Sequence, residues 1–394
     1  MHYFIHGFYG AGNAGDDAIL HALIERLRSL APDAEITVCV RSLNLPAYFG
    51  TGTIRTVSGF DLPAVKRAVA ASDLVLVGGG GLFQDYNGFD GLNLFHTQSS
   101  PGRQPGAIPY YSAPIFLAKT LGKPVLLYGL GVGPFVSAEG RLAAGWIASL
   151  ADAVTVRDHA SWELLHGAGA KQTVLAADPV VSLGKLLGSP PPRLGADEPP
   201  RVMLNLRRWA YDPQGGRDCW ELLIAAANHL LHKHGAQLFM LTYNRSALEE
   251  QLAEQFAAQF APDKVKIIPY RGSTPLEQLE LLGASELTLA MRLHASIMSM
   301  AAGTPAIGLS YDPKVQQFFE EAGLPELAVP MGEAQQYAAG PLLEMIDNML
   351  LNREYWRERV GKAMNSMQQR EQLNMQMLRT HTERADKQRG ESAR

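Results

Sequence analysis

YFIHGFYGAGNAGDDAILHALIERLRSL, residues 3–30, is the stretch that decides the fold. An apolar run over residues 3–8 ends in glycines at 10, 12 and 15. Ile19, Leu20, Leu23, Ile24 and Leu27 then recur at helical spacing, with Asp16 reading as the N-cap. The order is strand, glycine loop, helix. It returns downstream: a strand over 36–40, a helix over 62–71, and a strand over 73–77 that runs into Gly78-Gly79-Gly80-Gly81. A helix over 114–121 and a strand over 125–128 ending in GLGVGP come next, then a strand over 153–156 that stops at Arg157-Asp158. Continuous apolar strands alternating with helices predict a parallel sheet covered on both faces.

Residues 189–200, SPPPRLGADEPP, are too rich in proline for a helix or a central strand and read as a linker. Beyond them the rhythm restarts, with strands over 202–206, 238–241, 265–268, 287–291 and 306–309 and helices over 220–234, 247–259 and 275–282. The predicted organisation is an α/β chain with two doubly wound domains in tandem, 1–188 and 201–340. Helices and a polar tail occupy 341–394, frayed from Thr380 onward.

At 394 residues and 46% hydrophobic content the chain can bury two cores of ordinary size, and its net charge of −4 offers no basic field for nucleic acid. Cys39 and Cys219 stand far apart without a CxxC pattern, which gives no disulfide framework or thiolate zinc site and fits a reducing cytoplasm. No apolar run approaches the length of a membrane span, so any work at a membrane is expected from its surface. His232 and His234, in HKH at a helix end, are explained by exposure or by favourable charge at a helix C-terminus, without a metal. Walker, G-x-S-x-G and HExxH motifs are absent.

Open parallel sheets bind ligands beyond the carboxyl ends of their strands, and the chemically active residues of this chain cluster there. Gly10, Gly12 and Gly15 match a dinucleotide fingerprint only in part, because Arg41-Ser42 rather than an acidic residue closes the second strand; a nicotinamide cofactor is not expected. The free N–H groups of the helix start suit an anion or a polar ligand. Gly78–Gly81 are expected to admit a ligand against their backbone, with Gln84 and Asp85 orienting its hydroxyls.

Arg157 suits a carboxylate or phosphate, or an ordinary pairing with Asp158. The stretch MRLHASIMSMAAGTPAIGLSYDPK, residues 291–314, adds Arg292, His294 and Lys314. His294 opens a helix, where the dipole disfavours imidazolium and a bound polyanion would favour it. In YDPKVQQFFEEAG, Asp312 reads as N-cap, Pro313 as the first helical residue and Gly323 as the stop. This puts Lys314 in a first turn that repels cations, a local conflict of the kind found at functional sites.

These blocks resemble a known family. GFYGAGNAGDDAIL is similar to the GYYGxGNxGDExIL opening of bacterial polysaccharide pyruvyl transferases, the CsaB type in particular. VLVGGGGLFQD, YGLGVGP, VTVRDHAS, LAADPVVSL and MRLHASIMSMAAGTPAIGLSYDPKV keep the family's order, over residues 3–325. The resemblance implies two Rossmann-like domains facing a cleft, as in GT-B glycosyltransferases. It also implies transfer of the pyruvyl group of phosphoenolpyruvate, a co-substrate, onto two hydroxyls of a cell-envelope glycan as a ketal, with no cofactor and no metal.

By the same resemblance Arg157, Arg292 and Lys314 bind phosphoenolpyruvate and His294 supplies the proton. Gly10, Gly12, Asn13 and Gly15, with Gly79, Gly80, Gly81, Gln84 and Asp85, would cradle the acceptor, and Asp16 or Asp17 would serve as base. The acceptor would be lipid-linked at the cytoplasmic face of the membrane. Asp17 in place of Glu, Leu130 in place of Gln, and LTYNRS in the second domain depart from the family and are expected on the acceptor side. A GT-B glycosyltransferase using a nucleotide sugar and a non-catalytic phosphoglycan-binding module are the alternatives.

Overall fold

Each apolar run forms a strand and each amphipathic stretch a helix that covers it. The computed structural model describes residues 1–42, 45–50, 54–86, 89, 91, 106–188, 198–207, 216–331 and 339–392. Residues 189–197 of the expected linker and the side chain of Cys219 lie outside the described residues, while Cys39 is a buried free thiol. The chain divides into two compact units. The first comprises Met1–Gly12, Asp16–Pro179 and Gln368–Arg394, the second Asn13–Gly15 and Val180–Met367.

The first unit runs β1 (His2–His6), α1 (Ala14–Leu30), β2 (Glu35–Val40), β3 (Ile54–Ser58), α2 (Leu62–Ala71), β4 (Leu74–Phe83), α3 (Ala107–Thr120), β5 (Val125–Val132), α4 (Ala138–Ser149), β6 (Ala153–Val156), α5 (His159–Gly167) and β7 (Thr173–Leu175). Its sheet is parallel, in the order β3-β2-β1-β4-β5-β6-β7, so the winding reverses between β1 and β4. Phe4, Val75, Val77, Leu127 and Val154 are fully buried on this sheet, and α1 packs its stripe of Ile19, Leu20, Leu23 and Leu27 just as completely.

Two local differences from the sequence reading matter. Helix α1 starts at Ala14, so Asp16 is not the N-cap; Asp16 and Asp17 occupy the first turn, where the helix dipole favours acid, and the Asn13 side chain accepts from the Gly15 N–H at 2.9 Å. Strand β4 does not stop at Val77. It continues through the four glycines to Phe83, with Gly78, Gly80 and Gly81 opposite Tyr128, Leu130 and Gly131 of β5.

The second unit repeats the plan with β8 (Arg201–Asn205), α6 (Gly216–His234), β9 (Gln237–Leu241), α7 (Ala247–Ala257), β10 (Val265–Ile268), α8 (Pro275–Gly283), β11 (Leu287–Ala290), α9 (Leu293–Ala301), β12 (Ala306–Ser310), α10 (Pro313–Glu321), β13 (Ala328–Pro330) and α11 (Gly340–Leu351). Its parallel sheet has the order β10-β9-β8-β11-β12-β13, with the reversal between β8 and β11. Both orders are those of a doubly wound Rossmann-like sheet.

The last helix, α12 (Arg353–Ser392), replaces the expected frayed end. From Gln368 onward it belongs to the first unit, where Leu378, His381, Thr382 and Ala385 are buried. Tyr3 donates from its hydroxyl to Thr382 at 3.2 Å, Arg26 pairs with Glu371 at 2.6 Å, and Asn374 donates to the Ala177 carbonyl at 2.8 Å. This sparse apolar stripe and its polar anchors hold a stretch whose composition alone suggested solvent.

Inside the first unit, His6 sits between the rings of Tyr110 and Tyr111 and bonds the Tyr110 carbonyl at 3.2 Å. Burial, aided by the Arg41 charge, pushes its pKa down from 6.5 to about 4. An unfolded chain therefore takes up a proton here below about pH 6.5 that the folded chain refuses until about pH 4. The contribution is intact above pH 6.5 and is lost as pH falls through that window, amounting to roughly 3 kcal/mol. Urea unfolding of the native chain and His6→Gln between pH 7 and 4 is expected to show the steeper acid loss in the native chain. Parallel curves would refute it.

Candidate active site

In the first unit the carboxyl edge of β1, β4, β5 and β6 carries the glycines, Asp16, Asp17, Asp85 and Arg157. The glycines of β4 are explained by their neighbours. A Cβ at Gly78 would lie 2.1 Å from the Tyr128 carbonyl oxygen, and at Gly79, whose φ is 76°, 1.9 Å from Ile19 Cγ2. A Cβ at Gly80 would lie 3.3 Å from an Asp16 carboxylate oxygen. Strand β5 and helix α1 account for glycine at 78 and 79, whereas Gly81 is exposed and a Cβ there would have only Arg157 Nη2 near it, at 4.0 Å. Gly10 is tight for a similar reason, since a Cβ would meet the Ser42 carbonyl oxygen at 2.2 Å. Gly12 has a φ of 73°.

Asp85 is engaged within the first unit. Its buried carboxylate accepts from Val136 N at 2.5 Å, from Ser137 N at 3.1 Å and from Ser137 Oγ at 2.5 Å, fastening the start of α4. Gln84 accepts from its neighbour Tyr86 N at 2.9 Å. Leu130 is fully buried in β5, so this departure from the family lies in the core. Arg41 lies among the rings of Phe8, Phe60 and Tyr110.

Arg157, directly after β6, is only 7% exposed. Its Nε donates to Asp158 at 3.3 Å and its Nη1 to Asp178 at 3.2 Å. Gly131 makes room for it, because a Cβ there would lie 2.8 Å from Cζ, Nε and Nη2. Burial works against the charge and the two carboxylates outweigh it, leaving the guanidinium pKa raised. The pairing with Asp158 is present, but Arg157 is buried and balanced by a second acid, Asp178.

In the second unit the reversal point between β8 and β11 gathers the other candidates. Asn205 closes β8, donates to the Leu241 carbonyl at 2.9 Å and accepts from Arg292 N at 3.1 Å, which sets the entry to α9. Arg292 is the N-cap residue of α9 and pairs with the buried Glu249, whose other oxygen accepts from Tyr243 N at 2.6 Å. His294 comes next in the first turn of α9, half-buried. The segment Asn13–Gly15 groups with this unit, bridging Asn13 to Asn244, donating from Ala14 N to the Tyr243 carbonyl at 2.9 Å and setting Gly15 against His294. A Cβ at Gly15 would lie 2.4 Å from His294 Nδ1 and 2.7 Å from its Cβ, so a side chain at 15 and the present imidazole position exclude each other. LTYNRS, a departure from the family, is thus the stretch that seats both Asn13–Gly15 and Glu249.

Lys314 lies in the first turn of α10, after the next strand of the sheet. Asp312 caps that helix by accepting from Lys314 N at 3.2 Å and pairs with Lys314 Nζ at 2.7 Å. The conflict with the helix dipole is therefore met locally by the N-cap carboxylate. One cation escaped the sequence reading: Arg207, just beyond β8, donates to the Tyr311 hydroxyl at 2.8 Å and lies over its ring. The strand-end rule that singled out Arg157 applies equally to MLNLRR.

Two parallel Rossmann-like units with polar and charged groups at the carboxyl ends of their strands define a GT-B-like α/β architecture. Residues 13–313 match the sequence model described as polysaccharide pyruvyl transferase, and the chain belongs to that family. It is similar to the amylovoran biosynthesis protein AmsJ of Erwinia amylovora, with 23% identity over 400 residues covering 91% of this chain and 94% of that protein. Among solved structures it resembles the S. aureus MnaA-UDP co-structure, at TM-score 0.60 and 13% identity over 92% of this chain and 91% of the other. A glycosyltransferase from Rickettsia africae ESF-5 gives TM-score 0.60 at 11% identity over 97% and 98% of the two chains. The UDP-GlcNAc 2-epimerase of Methanocaldococcus jannaschii gives 0.56 at 13% over 93% and 98%. At such identities the likeness is one of fold.

Proposed function

We propose that this chain transfers the pyruvyl group of phosphoenolpyruvate onto two hydroxyls of a cell-envelope glycan as a cyclic ketal, with release of phosphate. Family membership and the likeness to a protein named for amylovoran biosynthesis support a glycan acceptor. The observation that carries the reading is His294 in the first turn of α9, with Arg292 before that helix and Arg207 beyond β8 at the reversal point of the second sheet, and Lys314 after the next strand. Phosphoenolpyruvate brings a carboxylate and a phosphate, and these cations, with Arg157, would offset and orient them.

In this scheme His294 gives a proton to the methylene carbon, which leaves positive charge at C2. A sugar hydroxyl attacks C2 and loses its proton to Asp16 or Asp17. The bond from C2 to the phosphate oxygen then breaks, phosphate leaves with the bonding electrons, and the second hydroxyl attacks C2 to close the ring as its proton passes to the now neutral His294. Phosphoenolpyruvate carries the activated group itself, so the scheme calls on no cofactor. Gly10, Gly12, Asn13 and Gly15, with Gly79, Gly80, Gly81, Gln84 and Asp85, serve the acceptor. Arg292, Lys314 and Arg157 each pair with carboxylates of the chain, so the donor's carboxylate and phosphate share these cations with Glu249, Asp312, Asp158 and Asp178.

No helix among the described residues is long and apolar enough to cross a membrane, and a lipid-linked acceptor would be met from the cytoplasmic face. Incubation with phosphoenolpyruvate and lipid-linked or synthetic disaccharide acceptors is expected to release phosphate only when an acceptor is present. Thermal stabilisation by a nucleotide sugar and none by phosphoenolpyruvate would assign the chain to a glycosyltransferase instead.

A further inference from the structure

Helix α6 ends in HLLHKH, residues 229–234, with Gly235 at φ 59° turning the chain toward β9. The sequence pattern explains these histidines by exposure, and His232 is indeed exposed. His229 and His234 are not. Both are half-buried, and both aim Nε2 at the same oxygen, Oδ1 of Asp347 on α11, each at 2.6 Å. Lys233 takes the other oxygen at 2.6 Å. The two imidazole nitrogens and the carboxylate oxygen all lie within 4.8 Å of one another.

As a hydrogen-bonded cluster this arrangement is crowded, since two imidazoles must both present N–H to one oxygen beside an ammonium group. With Nδ1–H tautomers, each Nε2 instead offers a lone pair toward the same point as Oδ1. We propose that His229, His234 and Asp347 bind a divalent transition metal of the zinc type. Imidazole with one carboxylate suits zinc, cobalt or nickel, whereas magnesium and calcium prefer oxygen donors. Three protein ligands on a half-exposed face leave a fourth position for water. Lys233 on Oδ2 keeps the carboxylate monodentate and oriented.

The place of the cluster defines its role. His234 is the last residue of α6 and precedes β9, so the cluster stands at the amino edge of the sheet, away from the strand ends that carry His294. The ion fastens α11 to α6 and takes no part in pyruvyl transfer.

The test uses the full chain stripped with EDTA. Calorimetric titration with zinc chloride is expected to give one bound equivalent and a rise in Tm, and cobalt chloride to give the visible absorption of a four-coordinate site. His229→Ala combined with Asp347→Asn should weaken zinc binding at least 100-fold, while His232→Ala leaves it unchanged. Absence of stoichiometric uptake, or equal affinity in the double variant, overturns the proposal. Should the double variant fail to fold, the native chain still decides: a cobalt spectrum without four-coordinate bands overturns the site.

Discussion

His294→Ala is expected to lower kcat by about 10²–10⁴-fold, the range set by removing a general acid, while the unreactive encounter with phosphoenolpyruvate persists because the cations remain. Steady-state kinetics with a glycan acceptor and a separate binding titration check the two halves of the expectation. An alanine variant with full turnover removes His294 from the mechanism. Gly15→Ala approaches the same side chain from outside, since its methyl would stand 2.4 Å from Nδ1. Displacement of the imidazole should then depress kcat even though the histidine is retained. A normal kcat in Gly15→Ala would mean that the observed position of His294 is not the working one.

Arg157→Ala is expected to act first on stability. The substitution removes the guanidinium that two buried carboxylates, Asp158 and Asp178, share, at a cost of about 3–5 kcal/mol. For a unit of this size that corresponds to a Tm lower by on the order of 10 °C. The double variant Arg157→Ala with Asp178→Asn should recover part of the loss, because it removes one of the stranded charges. Its part in holding phosphoenolpyruvate should show separately as a raised KM. An unaltered unliganded Tm would refute the structural role, and an unaltered KM the binding role.

Periodicity exposed most of the frame because apolar runs and helical stripes are local. Asp312, Pro313 and Gly323 read directly as a helix start and stop, and they are one, Gly323 turning at φ 69°. What stayed hidden was set by distant partners. Strand β4 runs on through Gly78 and Gly79 because Tyr128 and Ile19 leave no room for a side chain there, and neither is near in sequence. Edge strand β3, IRTVS, is half-exposed and lacks the apolar run that marks the central strands. In the candidate site, His294, Arg157, Arg292 and Lys314 were legible from their places after strands, whereas Arg207 was passed over. Their carboxylate partners were not, since Glu249 and Asp178 lie 43 and 21 residues from the arginines they hold. The partners of Asp85 were hidden in the same way, since Val136 N and Ser137 N lie 51 and 52 residues from it.

The return of α12 to the first unit bears on how the protein is made. Tyr3 meets Thr382 across 379 residues of chain. At 5 to 20 residues per second, roughly 20 to 75 s separate the synthesis of these partners. The second unit emerges whole in the interval, so the unit translated first is the one completed last. Until then the groove awaiting Leu378 and Ala385 stands open to the ribosome's surroundings, and a message cut short before Gln368 yields a chain whose later-made half alone is finished.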